Sequence, residues 1–172
     1  MTALMNVFIP HSQIFSMKDE FGKKFRLFLE ENGIKSELKR FENPVSSCEE
    51  SVNETGVEIS RIVKTVVFFD KKGNIFAAIV PGTERVDRKK IKQRYQTGKL
   101  KIASPEEVLE KTGYPAGGVP PMGFQAKFVM DPKVLKRKEV FTGGGSTHCL
   151  MKIKPEEIKK ASGCDVFDVS GG

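Results

Sequence analysis

Thr65-Val-Val-Phe-Phe69, Asp70-Lys-Lys-Gly-Asn74 and Ile75-Phe-Ala-Ala-Ile-Val80 together decide the fold class. The outer pieces are β-branched and aromatic runs of strand length, and the middle one carries turn residues, so the three predict a β-hairpin. Neither run alternates apolar with polar. Such a strand is covered on both faces, which places the hairpin at the centre of a sheet. Pro81-Gly82 ends the second strand.

Toward the N-terminus, Glu58 to Ile62 reads as a short helical turn leading into Lys64. Ser46 and Ser47 cap a short helix through Val52, closed near Gly56, and Ile34 to Phe41 alternates as a strand ending at Asn43-Pro44. Ser16 and Asp19 resemble a capping box. Behind them, Phe21, Phe25, Phe28 and Leu29 share one helical face and Gly33 supplies a stop. Residues 1–15 read as a lead-in segment and 16–172 as one domain.

Toward the C-terminus, Val86 to Tyr95 is a basic helix stopped by Gly98, and Leu100 to Ala103 is a short strand. Ser104-Pro-Glu-Glu107 opens a helix that Gly113 closes, with a cap, a proline and acids at the positive dipole end. Gln125 to Met130, Glu139 to Thr142 and Thr147 to Ile153 are strands, and Asp131-Pro132 is a turn. Pro155-Glu-Glu157 begins a last helix that Gly163 terminates. Val166 to Val169 closes as a strand, and Ser170 to Gly172 reads as a frayed end. Regular βαβ alternation is missing, so the fold class is α+β: a central mixed, largely antiparallel sheet flanked by helices.

Composition narrows the function. No apolar run approaches a membrane-spanning length, and Met1 to Phe15 lacks a basic stretch followed by an apolar core. The expectation is a cytoplasmic protein with no membrane partner. Cys48, Cys149 and Cys164 are widely spaced, and only His11 and His148 are present, so neither a metal site nor a redox pair is expected. Lys and Arg outnumber Asp and Glu by 29 to 22, an excess that suits a polyanion such as RNA or a merely solvated basic surface.

Three places can carry chemistry. The loop from Gly113 to Gly123 is too rich in Gly and Pro for helix or strand, and can aim backbone N–H groups at an oxyanion or serve as a long ordered connection. Gly143-Gly-Gly145, followed by Ser146-Thr-His148, either leaves room for a ligand or forms a hairpin turn. Lys64, entering the most apolar strand, either snorkels to the surface or meets an anion in a pocket. There is no G-x-S-x-G elbow, P-loop or H-E-x-x-H, which removes common hydrolase, NTPase and zinc-protease chemistry.

Phe41-Glu-Asn-Pro44, Ile62-Val-Lys-Thr-Val66, Thr112-Gly-Tyr114, Gly117-Gly-Val-Pro-Pro121 and the glycines at 143 to 145, in this order, resemble the YbaK family. These are free-standing aminoacyl-tRNA deacylases related to the editing insertion domain of bacterial prolyl-tRNA synthetase. The resemblance covers about residues 20 to 170. It implies a compact mixed α/β fold and hydrolysis of the ester joining a wrong amino acid to the 3′ end of tRNA, with no cofactor. Lys64 matches the family's conserved lysine and would hold the tRNA terminus or the substrate. Gly117 and Gly118, in the G-x-x-x-P signature, would receive the carbonyl and its oxyanion. Substrate contacts are then expected from Thr65, Tyr114, Val119, Pro120, Pro121, Gly144, Gly145, Ser146 and His148.

The implied partners are mischarged tRNA and an aminoacyl-tRNA synthetase on which such a protein can dock. Water and groups of the substrate would replace a catalytic triad. Thr65 stands where some relatives carry asparagine, and Gly143 to His148 differs from the basic stretch of cysteine-removing members, so the amino acid removed stays open. A tRNA- or synthetase-binding module without turnover, and a hydrolase of small acyl esters, are the competing alternatives.

Overall fold

The computed structural model describes residues 19–171. The expected lead-in at 1–15 and the cap contribution of Ser16 lie outside them.

The hairpin forms from β2 (Val63–Phe69) and β3 (Ile75–Pro81), paired antiparallel from Val63 against Pro81 to Phe69 against Ile75. Asp70 closes its turn, accepting from the amides of Lys72 and Asn74 and from the Asn74 side chain at 2.9–3.0 Å. β3 is the middle strand of a five-stranded sheet. β4 (Lys101–Ile102) joins β2 antiparallel, while β5 (Lys127–Met130) and β8 (Asp165–Val166) extend the sheet in parallel.

Alternation along β3 explains its unbroken apolar run. Ala77 and Ile79 enter a core with Phe25, Leu29 and Tyr114, whereas Phe76, Ala78 and Val80 enter a second core with Ile91 and Leu100. The central position expected from the sequence is therefore real.

The other strands make a second sheet, where the sequence alone suggested a single one. β7 (Cys149–Ile153) lies between β1 (Ser36–Arg40) and β6 (Val140–Gly143), all antiparallel. A parallel bridge from Ile62 to Phe141 ties this sheet to the start of β2. The α+β class holds.

Among the described residues five α-helices cover the sheets: α1 (Glu20–Glu31), α2 (Cys48–Thr55), α3 (Arg88–Tyr95), α4 (Pro105–Thr112) and α5 (Pro155–Ser162). Ser47 with Glu50, and Ser104 with Glu107, form complete capping boxes. α3 buries Ile91 and ends at Gln96, whose φ of +51° supplies the left-handed cap expected from Gly98. Among the described residues no helix is long and apolar enough to cross a membrane.

Ser170 and Gly171 are anchored rather than frayed, and Gly172 lies outside the described residues. Asp131, 1% exposed, accepts from the amides of Val169 (3.1 Å) and Ser170 (3.0 Å) and from the Ser170 hydroxyl (2.6 Å). It also accepts from the Lys133 amide as cap of the 3₁₀ turn Pro132–Lys136. Burial pushes this carboxyl up, but the bonds from Ser170, Lys133 and Val169 together outweigh it and hold it below the usual aspartate range. A depressed folded value stabilises fully above about pH 4 and is lost as the pH falls through it. Asp131→Ala should cost about 3 kcal/mol or more near neutrality, at ~1–3 kcal/mol per stranded buried donor. Urea unfolding at about pH 7 and about pH 3 checks this: the gap between wild type and variant should narrow at the lower pH.

Candidate active site

Where the two sheets meet, four segments enclose a cavity of about 90 Å³. The start of β2 contributes Ile62 to Thr65, and the end of β6 contributes Phe141 to Gly143. The third segment is the glycine-rich loop, through Gly117 and Val119, and the fourth is the run from Val45 to Ser51, which opens α2. Leu150 closes the apolar side. Lys64 and Thr65 are successive strand residues whose side chains leave opposite faces. Both reach the cavity because it lies at the edge of β2, where the ladder to β4 covers only Phe68 and Phe69.

Local sequence builds each wall. The Phe41-to-Val45 run is pinned to the second sheet by bonds from the Phe41 amide to the His148 carbonyl and from the Val45 amide to the Thr147 carbonyl, both 2.7 Å. That pinning sets Ser46, Ser47 and Cys48 at the rim. Glu50 is occupied as the capping carboxylate: it accepts from the Ser46 hydroxyl (2.8 Å) and from the Ser46 and Ser47 amides. The Ser46 hydroxyl is the main cause holding Glu50 below the ordinary glutamate range. Cys48 lies in the wall with its thiol 3.7 Å from the Gly82 carbonyl. Burial pushes that thiol up, and nearby Lys64 only partly offsets the effect. It is therefore a neutral wall group near neutral pH, not a ready thiolate nucleophile.

The glycines have a different use from the one expected. Gly118 donates its N–H to the Pro115 carbonyl (3.0 Å), and its carbonyl accepts from the Gly145 N–H (2.8 Å). A Cβ on Gly118 would lie 2.5 Å from the Ser146 carbonyl carbon, and one on Gly143 would run into the Val119 carbonyl. At Gly145, with φ +89°, a Cβ would meet that of Phe25 at 2.5 Å. The two glycine-rich loops thus pack backbone on backbone. Gly118 and Gly145 serve that contact, Gly144 packs instead against the Cys149 backbone and Leu38, and none of the three lines the cavity. Gly117, with φ +84° and exposed, faces Ser46 across the mouth.

Lys64, Thr65, Gly117 and Val119 thus share one cavity. Tyr114 does not belong to it: 1% exposed, it packs edge-on against Phe25 with ring centroids 5.8 Å apart. Pro120 and Pro121 are buried behind the loop. Ser146, 3% exposed, donates its hydroxyl to Asp19, the cap of α1, and accepts from the His148 amide. The His148 ring sits 3.0 Å from the Thr147 hydroxyl, outside the cavity lining.

Sequence reasoning missed Ser46, Ser47, Cys48 and Thr142 as lining residues, whereas Gly143, in the triple glycine it singled out, does line the cavity. For Thr142 one signal was available: in β6 it shares the inward face of Val140. Among the described residues, the hydroxyls of Thr65 and Thr142 have no hydrogen-bond partner, although both oxygens are sealed from solvent.

The chain matches the aminoacyl-tRNA editing domain family over residues 42–161, and it belongs to that family. It is 29% identical to the protein YwhH of Bacillus subtilis over 129 residues, 74% of this chain and 82% of that one. It is 32% identical to the proline–tRNA ligase of Thermotoga neapolitana over 130 residues, 74% of this chain but 22% of the ligase. Among solved structures it is similar to a candidate trans-editing enzyme for prolyl-tRNA synthetase, with a TM-score of 0.81 and 30% identity, covering 90% of this chain and 99% of that one.

Proposed function

We propose that this aminoacyl-tRNA editing domain acts in trans, hydrolysing the ester between a wrong amino acid and its tRNA, with the aminoacyl group seated in the cavity between Lys64 and Gly117. The observation that carries this reading is the convergence of Lys64, Gly117 and Val119 on one small space. At about 90 Å³ it is far below the ~300–1,000 Å³ of pockets that enclose drug-sized ligands. It takes a small acyl group and leaves the adenosine outside, against the exposed rim.

Lys64 holds a phosphate or hydroxyl of the tRNA terminus. The Gly118 amide is already engaged, so the oxyanion of the tetrahedral intermediate falls to the amides of Gly117 and Val119. Water attacks the ester carbonyl carbon. A new C–O bond forms, the bond to the ribose oxygen breaks, and the proton given up by water ends on that oxygen. Ser146 and His148 lie outside the cavity and the Cys48 thiol is neutral, so the hydroxyl of the substrate's own ribose assists the water.

The test is release of free amino acid from a panel of mischarged tRNAs, with intact tRNA recovered. Turnover of at least one mischarged species, and sparing of correctly charged prolyl-tRNA, is expected. Salt-sensitive tRNA binding with no turnover on any species would replace the hydrolase with a binding module.

A further inference from the structure

Residues 85–101 hold eight Lys and Arg against one Asp, an excess of seven that equals the formal charge of the whole chain. The rest of the molecule is therefore balanced, and the positive charge is concentrated on α3 and its flanks. Ile91 is the buried residue of α3, which leaves the cations to its outer side. Asp87, the one acid, is occupied as the cap and accepts from the Lys89 amide at 3.0 Å. Lys90 is held by Asp168 at 2.8 Å. Among the described residues, no other cation of the run has a carboxylate within ion-pair distance. Arg88 with Lys92, and Lys90 with Arg94, are like charges one turn apart, an arrangement that destabilises a helix. A solvated surface gains nothing from it, whereas a bound polyanion offsets it.

The position of α3 connects this charge to the cavity. Lys64, Val66 and Phe68 leave the same face of β2, and Val66 and Phe68 pack in the core that Ile91 closes. Hence α3 covers the sheet face from which Lys64 projects, and the Arg88 guanidinium lies 5.9 Å from the centre of the Phe68 ring. Lys64 and Phe68 are four strand residues apart, about 13 Å. We propose that α3 and its flanks seat the phosphodiester backbone of tRNA next to the 3′ end whose terminus Lys64 holds; the inference rests on the reading above that mischarged tRNA is the substrate. Exposed Lys89 and Lys99 and half-buried Lys92 meet phosphates and release their counterions, a contact blind to base sequence. Arg88, Lys90 and Arg94 are tied to the Leu100 carbonyl, Asp168 and the Phe167 ring, so they fix the helix in place.

The experiment uses the full chain carrying Lys89→Gln, Lys92→Gln and Lys99→Gln together, and a control carrying Lys154→Gln, Lys159→Gln and Lys160→Gln. The control removes equal charge from α5 and its cap, and Ile158 of α5 packs with Ala77 and Ile79 on the opposite face of the sheet. On whole mischarged tRNA the first variant should raise KM roughly 3–150-fold with kcat little changed, the loss expected of three exposed ion pairs. A short 3′-terminal fragment carrying the same aminoacyl ester should be hydrolysed at the wild-type kcat/KM. In equilibrium binding of tRNA, the slope of log K against log salt should become shallower by about two to three. The control should match wild type in all three measurements. An unchanged salt slope, an equal change in the control, or an equal loss on the short fragment overturns the inference. A wild type that turns over no mischarged tRNA overturns the hydrolytic reading, and the salt slope then decides the tRNA seat by itself.

Discussion

Lys64→Ala is expected to lower kcat/KM roughly 10–150-fold on every mischarged tRNA the protein hydrolyses, the loss of about 1.5–3 kcal/mol that follows when one charged hydrogen bond to the tRNA terminus is removed. Thermal stability should barely change. Lys64 is half-buried at the strand edge, and among the described residues no carboxylate lies within ion-pair distance of it. Its removal strands no buried partner. Other lysines near β2 are already engaged with the protein, Lys101 and Lys111 lying over the Phe69 ring at 5.7 and 4.2 Å. Lys64→Met separates charge from bulk, because it keeps an unbranched stem of similar length. If charge is what the tRNA terminus needs, methionine fails as alanine does. A Lys64→Met protein with the wild-type rate removes the ammonium group from the mechanism.

The parts of the fold that local chemistry specifies were legible in the sequence. The Thr65-to-Val80 run is apolar on both faces because both faces are covered, and Ser104-Pro-Glu-Glu107 caps a helix that needs no distant partner to start. Ser47 and Glu50 likewise close a capping box within four residues. Long-range pairing was not legible. β1 joins β7 instead of the hairpin, and nothing in Ile34 to Phe41 names that partner, so two sheets read as one. Ser170 looked like a loose end because Asp131, which holds it, lies far away in the chain.

The site divides the same way. Lys64 and the Gly117 loop stand out by residue type, whereas Thr142 looks like any strand threonine until β6 is set against β2. The glycines misled for a physical reason. A missing Cβ admits either a ligand or another backbone, and the sequence does not distinguish them. Here Gly118 and Gly143 admit each other's loops.

That mutual packing makes Gly143→Ala the most damaging small substitution expected in the molecule. The new methyl would overlap the Val119 carbonyl, and backbone on both sides leaves nothing flexible to yield. Overpacking of this kind costs about 1–3 kcal/mol, which for a chain of this size lowers Tm by roughly 3–10 °C. Activity should fall further than stability does. Val119 and Gly117 carry the amides assigned to the oxyanion, and a shift of about 1 Å in a catalytic group costs about 10²-fold in rate. The loss should therefore persist at temperatures where the variant is fully folded, as judged by its own melting curve. Gly163→Ala is the matched control. Gly163 has φ +64° at the end of α5 and open space around it, so alanine there costs about 1–2 kcal/mol of backbone strain and leaves the cavity untouched. If Gly143→Ala and Gly163→Ala lose the same stability and both retain the wild-type kcat/KM, the contact between the two glycine-rich loops does not position the catalytic amides.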